Sequence, residues 1–182
     1  MAINLILTEN YLKENSIIRG NVDMQLITPT IVNVQQMYME DLLGTKLYNQ
    51  ILSQIGSSSV STANQTLLDD YVIPCMIEYI KSEMTPVLQF QYMNIGVVEK
   101  TSEHTQTIDL EKILFLMDKW RNNAEKLAEK VTKFLKKNST TYPLYLDNTE
   151  IDEIKPLSTN FFGGLYLDDN GDEDCCDNNE DQ

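Results

Sequence analysis

This sequence is short of the groups from which active sites are usually built. It has one histidine, His104, and three cysteines: Cys75 and the adjacent pair Cys175 and Cys176. It has no HExxH, no Cys-x-x-Cys and no glycine-rich phosphate loop of either standard kind. Without a second histidine, nucleophile–base arrangements lose their commonest member. His104 lies in a polar stretch, 99–109, and reads as ordinary surface. The carboxylate pairs Asp69-Asp70 and Glu40-Asp41 read as solvated helix faces. The expectation is a protein that is not an enzyme and uses no cofactor.

Long apolar runs are missing too. None approaches the roughly 18 residues of a membrane span. MAINLILTEN has no basic leader and only a short apolar run, so no secretory signal is expected. With an odd cysteine count, this points to a reducing cytoplasm rather than a disulfide framework.

Basic residues are scarce, at 14 against 28 acids, for a net charge of −14. The imbalance is local. Asp168 to Gln182 holds eight acids and no base, leaving 20 acids against 14 bases elsewhere, a balance of −6. Like-charge blocks of this kind mark disordered or interacting tails. Asp168, Asn170 and Asp172 have the opening spacing of a calcium loop, but Glu173 stands where glycine is required and Asn179 where the bidentate glutamate should be. Cys175 and Cys176 have no histidine nearby and read as plain thiols, so no metal site is expected.

What the chain does have is helical periodicity. Thr8 opens a short helix. Met24–Ile27 allows an extended piece, and Thr28-Pro29 then reads as a helix start, a capping hydroxyl followed by proline. Ile31, Val34, Tyr38 and Leu42 form one face up to Gly44, and Leu47, Ile51 and Ile55 form the next up to Gly56. Residues 56–66 read as a polar loop. A helical run from Leu67 to Met84 contains Pro74, which must kink or break it. Pro86 reads as the start of a further helix to about Met93, and 94–100 with 104–108 allow a small hairpin.

The strongest pattern is two interleaved seven-residue repeats: Leu110, Met117, Ala124, Val131, and Ile113, Trp120, Leu127, Phe134. Leu114, Ala128 and Leu135 widen the stripe. Four heptads predict a helix over 110–137, about 42 Å long at roughly 1.5 Å per residue. Trp120 and Phe134 suit the core of a globular bundle better than a two-stranded seam. The expected fold is therefore all-α: a small helical bundle around one long central helix, with a minor hairpin and an extended C-terminal arm. Residues 1–146 form the helical domain and 147–182 the arm.

Lys126, Lys130, Lys133 and Lys137 line one stripe of the long helix. A solvated face, helped by the pairing of Glu129 with Lys133 and by the helix dipole, accounts for most of it. With a net charge of −14, sequence-reading of nucleic acid is not expected.

Several segments, taken in order, resemble a known family. ITPTIVNVQQMYMEDLLGTKLYNQIL (27–52) has a helix ending in Leu43-Gly44 and a second beginning near Leu47-Tyr48. LLDDYVIPCMIEYI (67–80) follows, then NIGVV (94–98), the long helix, and NSTTYPLYL (138–146). Together they resemble the portal-adaptor or ring proteins, the head–tail connectors, of crAss-like and related tailed phages. The resemblance spans about residues 1–146. It implies a virion protein at the head–tail junction, made in the host cytoplasm. Its partners would be further copies of itself in a closed ring, commonly of about twelve copies, together with the portal protein and other connector or tail proteins. DNA would pass through the channel without specific contact. The resemblance implies no catalytic residue and says nothing of residues 147–182. A cytoplasmic helical scaffold or regulatory protein that binds a partner through its arm is the alternative.

The arm has two halves. Phe161, Phe162, Leu165, Tyr166 and Leu167 form an apolar strip, with Gly163-Gly164 allowing a bend. Aromatic strips make good interface anchors, so the strip is expected to dock on a neighbouring subunit or another ring; folding back onto its own bundle is the plainer reading. The acid run either lies against a basic surface, such as the 126–137 lysine stripe of a neighbour, or keeps DNA from adhering to the channel.

Overall fold

A computed structural model of the chain describes residues 4–19, 21–93, 96–99, 109–147 and 154–156. The first helix, α1 (Glu9–Asn15), starts where Thr8 accepts a hydrogen bond from the Tyr11 amide, as its sequence predicts. The second departs from expectation. Asp23, not Thr28, caps α2 (Met24–Val34), accepting from the Gln25 amide. Pro29 therefore sits inside the helix and Met24–Ile27 is helical. Packing explains the longer helix: it puts Ile27 on the same buried face as Ile31 and Val34.

The chain then passes through a π-helical turn, Gln35–Met39, into α3 (Glu40–Leu43). The extra residue carried by a π turn moves Met39 onto the buried face in place of Tyr38. Tyr38 instead stacks on Tyr79 with ring centroids 4.2 Å apart and donates to Glu83 at 2.7 Å. The same turn buries Gln35 completely. Its Oε1 accepts from the Ile6 amide at 2.8 Å, and its Nε2 donates to the Asn4 carbonyl at 3.0 Å and to the Tyr48 hydroxyl at 3.3 Å. One side chain thus ties together the N-terminal segment, the π turn and the helix that begins at Thr45.

Helix α4 (Thr45–Gly56) turns back from α3 at Gly44. A second helical run begins earlier than the sequence suggests, because Ser61 caps α5 (Thr62–Leu67) by accepting from the Asn64 amide. The expected polar loop shrinks accordingly. A second π-helical turn, Leu68–Val72, leads into α6 (Ile73–Gln89). Pro74 lies inside one continuous helical run, 62–89, directly after the π turn, so the run departs from regular α geometry at the proline instead of breaking there. Pro86 starts no new helix: α6 runs through it to Gln89.

The hairpin is present but displaced. β1 (Phe90–Met93) pairs antiparallel with β2 (Gly96–Glu99), with Phe90 opposite Glu99 and Met93 opposite Gly96. So 90–93 is strand rather than helix, and the partner of 96–99 precedes it in the chain. The segment 104–108 lies outside the described residues. α7 (Leu110–Lys137) occupies the predicted interval, and Asn138 closes it by donating from Nδ2 to the Phe134 carbonyl at 2.8 Å.

The bundle is organised by α6, which packs chiefly on α7 and on α2. Contacts pair off in antiparallel order. Ser82 Oγ donates to the Met117 carbonyl at 3.0 Å, and Cys75 Sγ to the Ala124 carbonyl at 3.5 Å. Farther along, Tyr71 stacks on Phe134 with centroids 4.1 Å apart. Lys81 lies over the Trp120 ring, 4.0 Å from its centroid, and pairs with Glu78. Beyond α7, a 3-10 turn, Pro143–Tyr145, buries Tyr142 and Tyr145, and Tyr142 donates to the Ala63 carbonyl at 2.7 Å.

Two substitutions probe this frame. Gln35→Ala removes the acceptor of the buried Ile6 amide, so it is expected to destabilise the fold by roughly 3 kcal/mol, read as a lower urea midpoint at unchanged slope. Gly44 has φ 75° and ψ 148°, a conformation close to glycine-only, and a Cβ there would lie 2.9 Å from Pro156 Cγ. Gly44→Ala is expected to cost about 2 kcal/mol in the same measurement.

Candidate interaction surface

The long helix is unevenly covered. Ile113, Ala124, Val131 and Leu135 are buried, as a single apolar stripe requires. At the other edge of the heptad pattern the structure corrects the reading: Leu110 and Leu114 are 55% and 49% exposed, and Phe115 is 68% exposed. The signal for this was in the sequence. Ile113 to Met117 are five consecutive apolar residues. At about 100° per residue they encircle the helix, so one neighbour cannot cover them all.

Lys126, Lys130, Lys133 and Lys137 are all exposed. Lys133 reaches Glu129 at 3.3 Å, with the two side chains 77% and 61% exposed, so the pair adds little to stability. Lys126, Lys130 and Lys137 form no ion pair with another described residue. The structure therefore brings the predicted stripe together as one basic strip facing solvent. The predicted docking residues Phe161, Phe162, Leu165, Tyr166 and Leu167 lie outside the described residues, as do His104, Cys175 and Cys176.

Contacts with the bundle continue past 146, where the helical domain was expected to end. Lys46 pairs with Asp147 at 3.0 Å. The Thr45 amide donates to the Ile154 carbonyl at 3.2 Å, and the Ile154 amide donates to Thr45 Oγ1 at 3.0 Å. Gly44 has no side chain with which to cap α4, so Ile154 supplies an acceptor for the first free amide of that helix. Pro156 lies against Gly44. The arm is thus fastened at the α3–α4 corner before its apolar strip begins.

Burial raises the pKa of the buried thiol and of several phenols of the interior. Burial, reinforced by the charge of Glu78, pushes the Cys75 thiol up to about 12. Burial also raises Tyr38 to about 12, helped by its hydrogen bond to Glu83. Tyr79, Tyr48, Tyr142 and Tyr145 are raised as well, each chiefly by burial. A thiol held in this way is a poor nucleophile. Among the described residues no group of three or more His, Cys, Asp or Glu is placed to hold a metal ion. No helix among them is long and apolar enough to cross a membrane.

A family described as "Family of unknown function (DUF6712)" matches residues 39–154, well over half of the chain. The matched interval runs from the end of the first π turn through α7 to the Ile154 clasp. No curated protein and no solved structure matches the chain.

The raised values set a pH dependence. Cys75 and Tyr38 bind their protons more tightly in the fold than in the unfolded chain, where a thiol has a pKa near 9 and a phenol near 10. Their contribution to stability is complete below those values and is lost as pH rises towards about 12. The urea midpoint should hold from pH 7 to about 9 and fall above it. At pH 8, iodoacetamide should leave Cys75 unmodified in the native chain and modify it in urea, as read by peptide mass spectrometry.

Proposed function

Because this chain belongs to the DUF6712 family, whose function is unknown, its role is read from its own residues, and we propose that it is a structural subunit of an oligomeric ring at the head–tail junction of a tailed phage. In this reading it joins the portal to the tail around the DNA channel and carries no catalytic site. The ordered likeness of about residues 1–146 to connector proteins supplies the assignment. The observation that supports it best is the arm: its root is clasped to Gly44 and Thr45, and an apolar strip and an acid run follow. A head-to-tail ring needs two different complementary surfaces on every subunit. The arm is one, and the incompletely covered helix α7 offers another.

The structure sharpens where to cut. Truncation after Pro156 keeps the Ile154 clasp, whereas truncation at 146 would remove it along with the Lys46–Asp147 pair. Purified particles of the phage that encodes this chain should contain it at the portal vertex, in multiple copies, by imaging and quantitative mass spectrometry. The chain lacking 157–182 should keep its helical signal yet fail to assemble. Absence from particles would sink the connector reading, and normal assembly without 157–182 would sink the role of the arm.

A further inference from the structure

We infer that the outer face of α7 is the receptor for the arm of another copy, with Phe115 meeting the apolar strip and the lysine stripe meeting the acid run. This deepens the assembly reading, on which it rests only for the arm's coming from a second molecule.

Three observations converge on that face. The first is alignment. Phe115, Lys119, Lys126, Lys130, Lys133 and Lys137 are all exposed, and they fall within a sector of about 60° around the helix at roughly 100° per residue. Phe115 has the greatest fractional exposure of any large apolar side chain among the described residues. One aromatic followed by five lysines is the chemical counterpart of the arm, where an apolar strip precedes the acids.

The second is spacing. From Phe115 to Lys137 the helix rises about 33 Å at roughly 1.5 Å per residue. An extended chain covers about the same distance from Phe162 to Asp172 at roughly 3.3 Å per residue. With Phe162 beside Phe115 and both chains running in the same direction, Asp168 and Asp169 come level with the interval from Lys126 to Lys130. Asp172 then comes level with Lys137.

The third is charge. α7 carries eight of the chain's 14 bases and four of its 28 acids. With the eight acids of 168–182 also set aside, the rest of the chain has six bases and 16 acids, a balance of −10. An acid run is repelled by the rest of the molecule and attracted by α7. The same balance disfavours nucleic acid as the occupant, since a polyanion approaching the stripe must also approach the acidic body.

A second copy is favoured by the way the arm is held. Pro156, at the root of the arm, is fixed beside Gly44. From there, 26 residues remain, up to about 86 Å of chain at roughly 3.3 Å per residue. Phe162 is the sixth of these residues, about 20 Å of chain at roughly 3.3 Å per residue, so the receiving copy must hold its Phe115 within that reach of Pro156.

The test is cross-linking of the full chain, made as an equal mixture of nitrogen-15-labelled and unlabelled protein. A benzoylphenylalanine placed at position 115 should cross-link to peptides from 161–167. A carbodiimide should join Lys126, Lys130, Lys133 or Lys137 to acids of 168–182. Both products should include mixed-isotope pairs. Combining Lys126→Glu, Lys130→Glu, Lys133→Glu and Lys137→Glu should lower the position-115 yield about tenfold, with circular dichroism confirming that the helices remain. Like-isotope pairs alone would show the arm on its own molecule and overturn the inference. So would the absence of arm peptides among the products. Neither result touches the connector reading, which stands or falls on the presence of the chain in phage particles.

Discussion

The bundle depends on how closely α6 and α7 approach each other. Cys75 and Ser82 stand seven residues apart on α6, and each donates to a backbone carbonyl of α7, at Ala124 and Met117, again seven apart in the opposite sense. A side chain as short as cysteine or serine reaches a neighbouring helix's backbone only when the two axes are near. Ala124, fully buried, has a side chain small enough to permit that. Close-packed interiors leave no slack at such a point. The neighbouring contacts then follow in order, Lys81 over Trp120 on one side and Tyr71 against Phe134 on the other.

Around that pair the chain solves a bookkeeping problem of register. Two helical runs, 24–43 and 62–89, must each keep an apolar face inward while passing a π turn. In the first, the extra residue buries Met39 and Gln35 and swings Tyr38 towards Tyr79 and Glu83. In the second, the turn ends just before Pro74. π turns recur where a helix must shift phase, often next to a functional surface. Here they shape the core, where burial raises the pKa of the Cys75 thiol and the Tyr38 phenol.

The surface tells a different story from the core. α7 covers its own bundle along one stripe and offers the opposite side to solvent, with a basic line and an exposed aromatic. The C-terminal segment caps α4 through Ile154 before its apolar and acidic sequence begins. A half-covered helix and an arm whose root is clasped at Gly44 and Thr45 are the two surface features on which an assembly role is proposed. The connector proposal and the arm–α7 proposal both start there.

Much of this was legible in the residues alone. The all-α class, the bounds of α7, the Thr8 cap and the clustering of four lysines on one face follow from periodicity and capping chemistry, which act over one or two turns of chain. Other features were decided only by tertiary structure. Pro29 lies inside a helix because buried residues on either side, Ile27 and Ile31, outweigh a lost local hydrogen bond, and α6 likewise runs through Pro86 to Gln89. β1 replaces a helical end because strand pairing is a relation between two segments. Leu110, Leu114 and Phe115 are exposed because the described elements cover only the side of that end of α7 on which Ile113 lies. The clasp at Gly44 joins residues 109 positions apart, a contact that no window of local sequence contains.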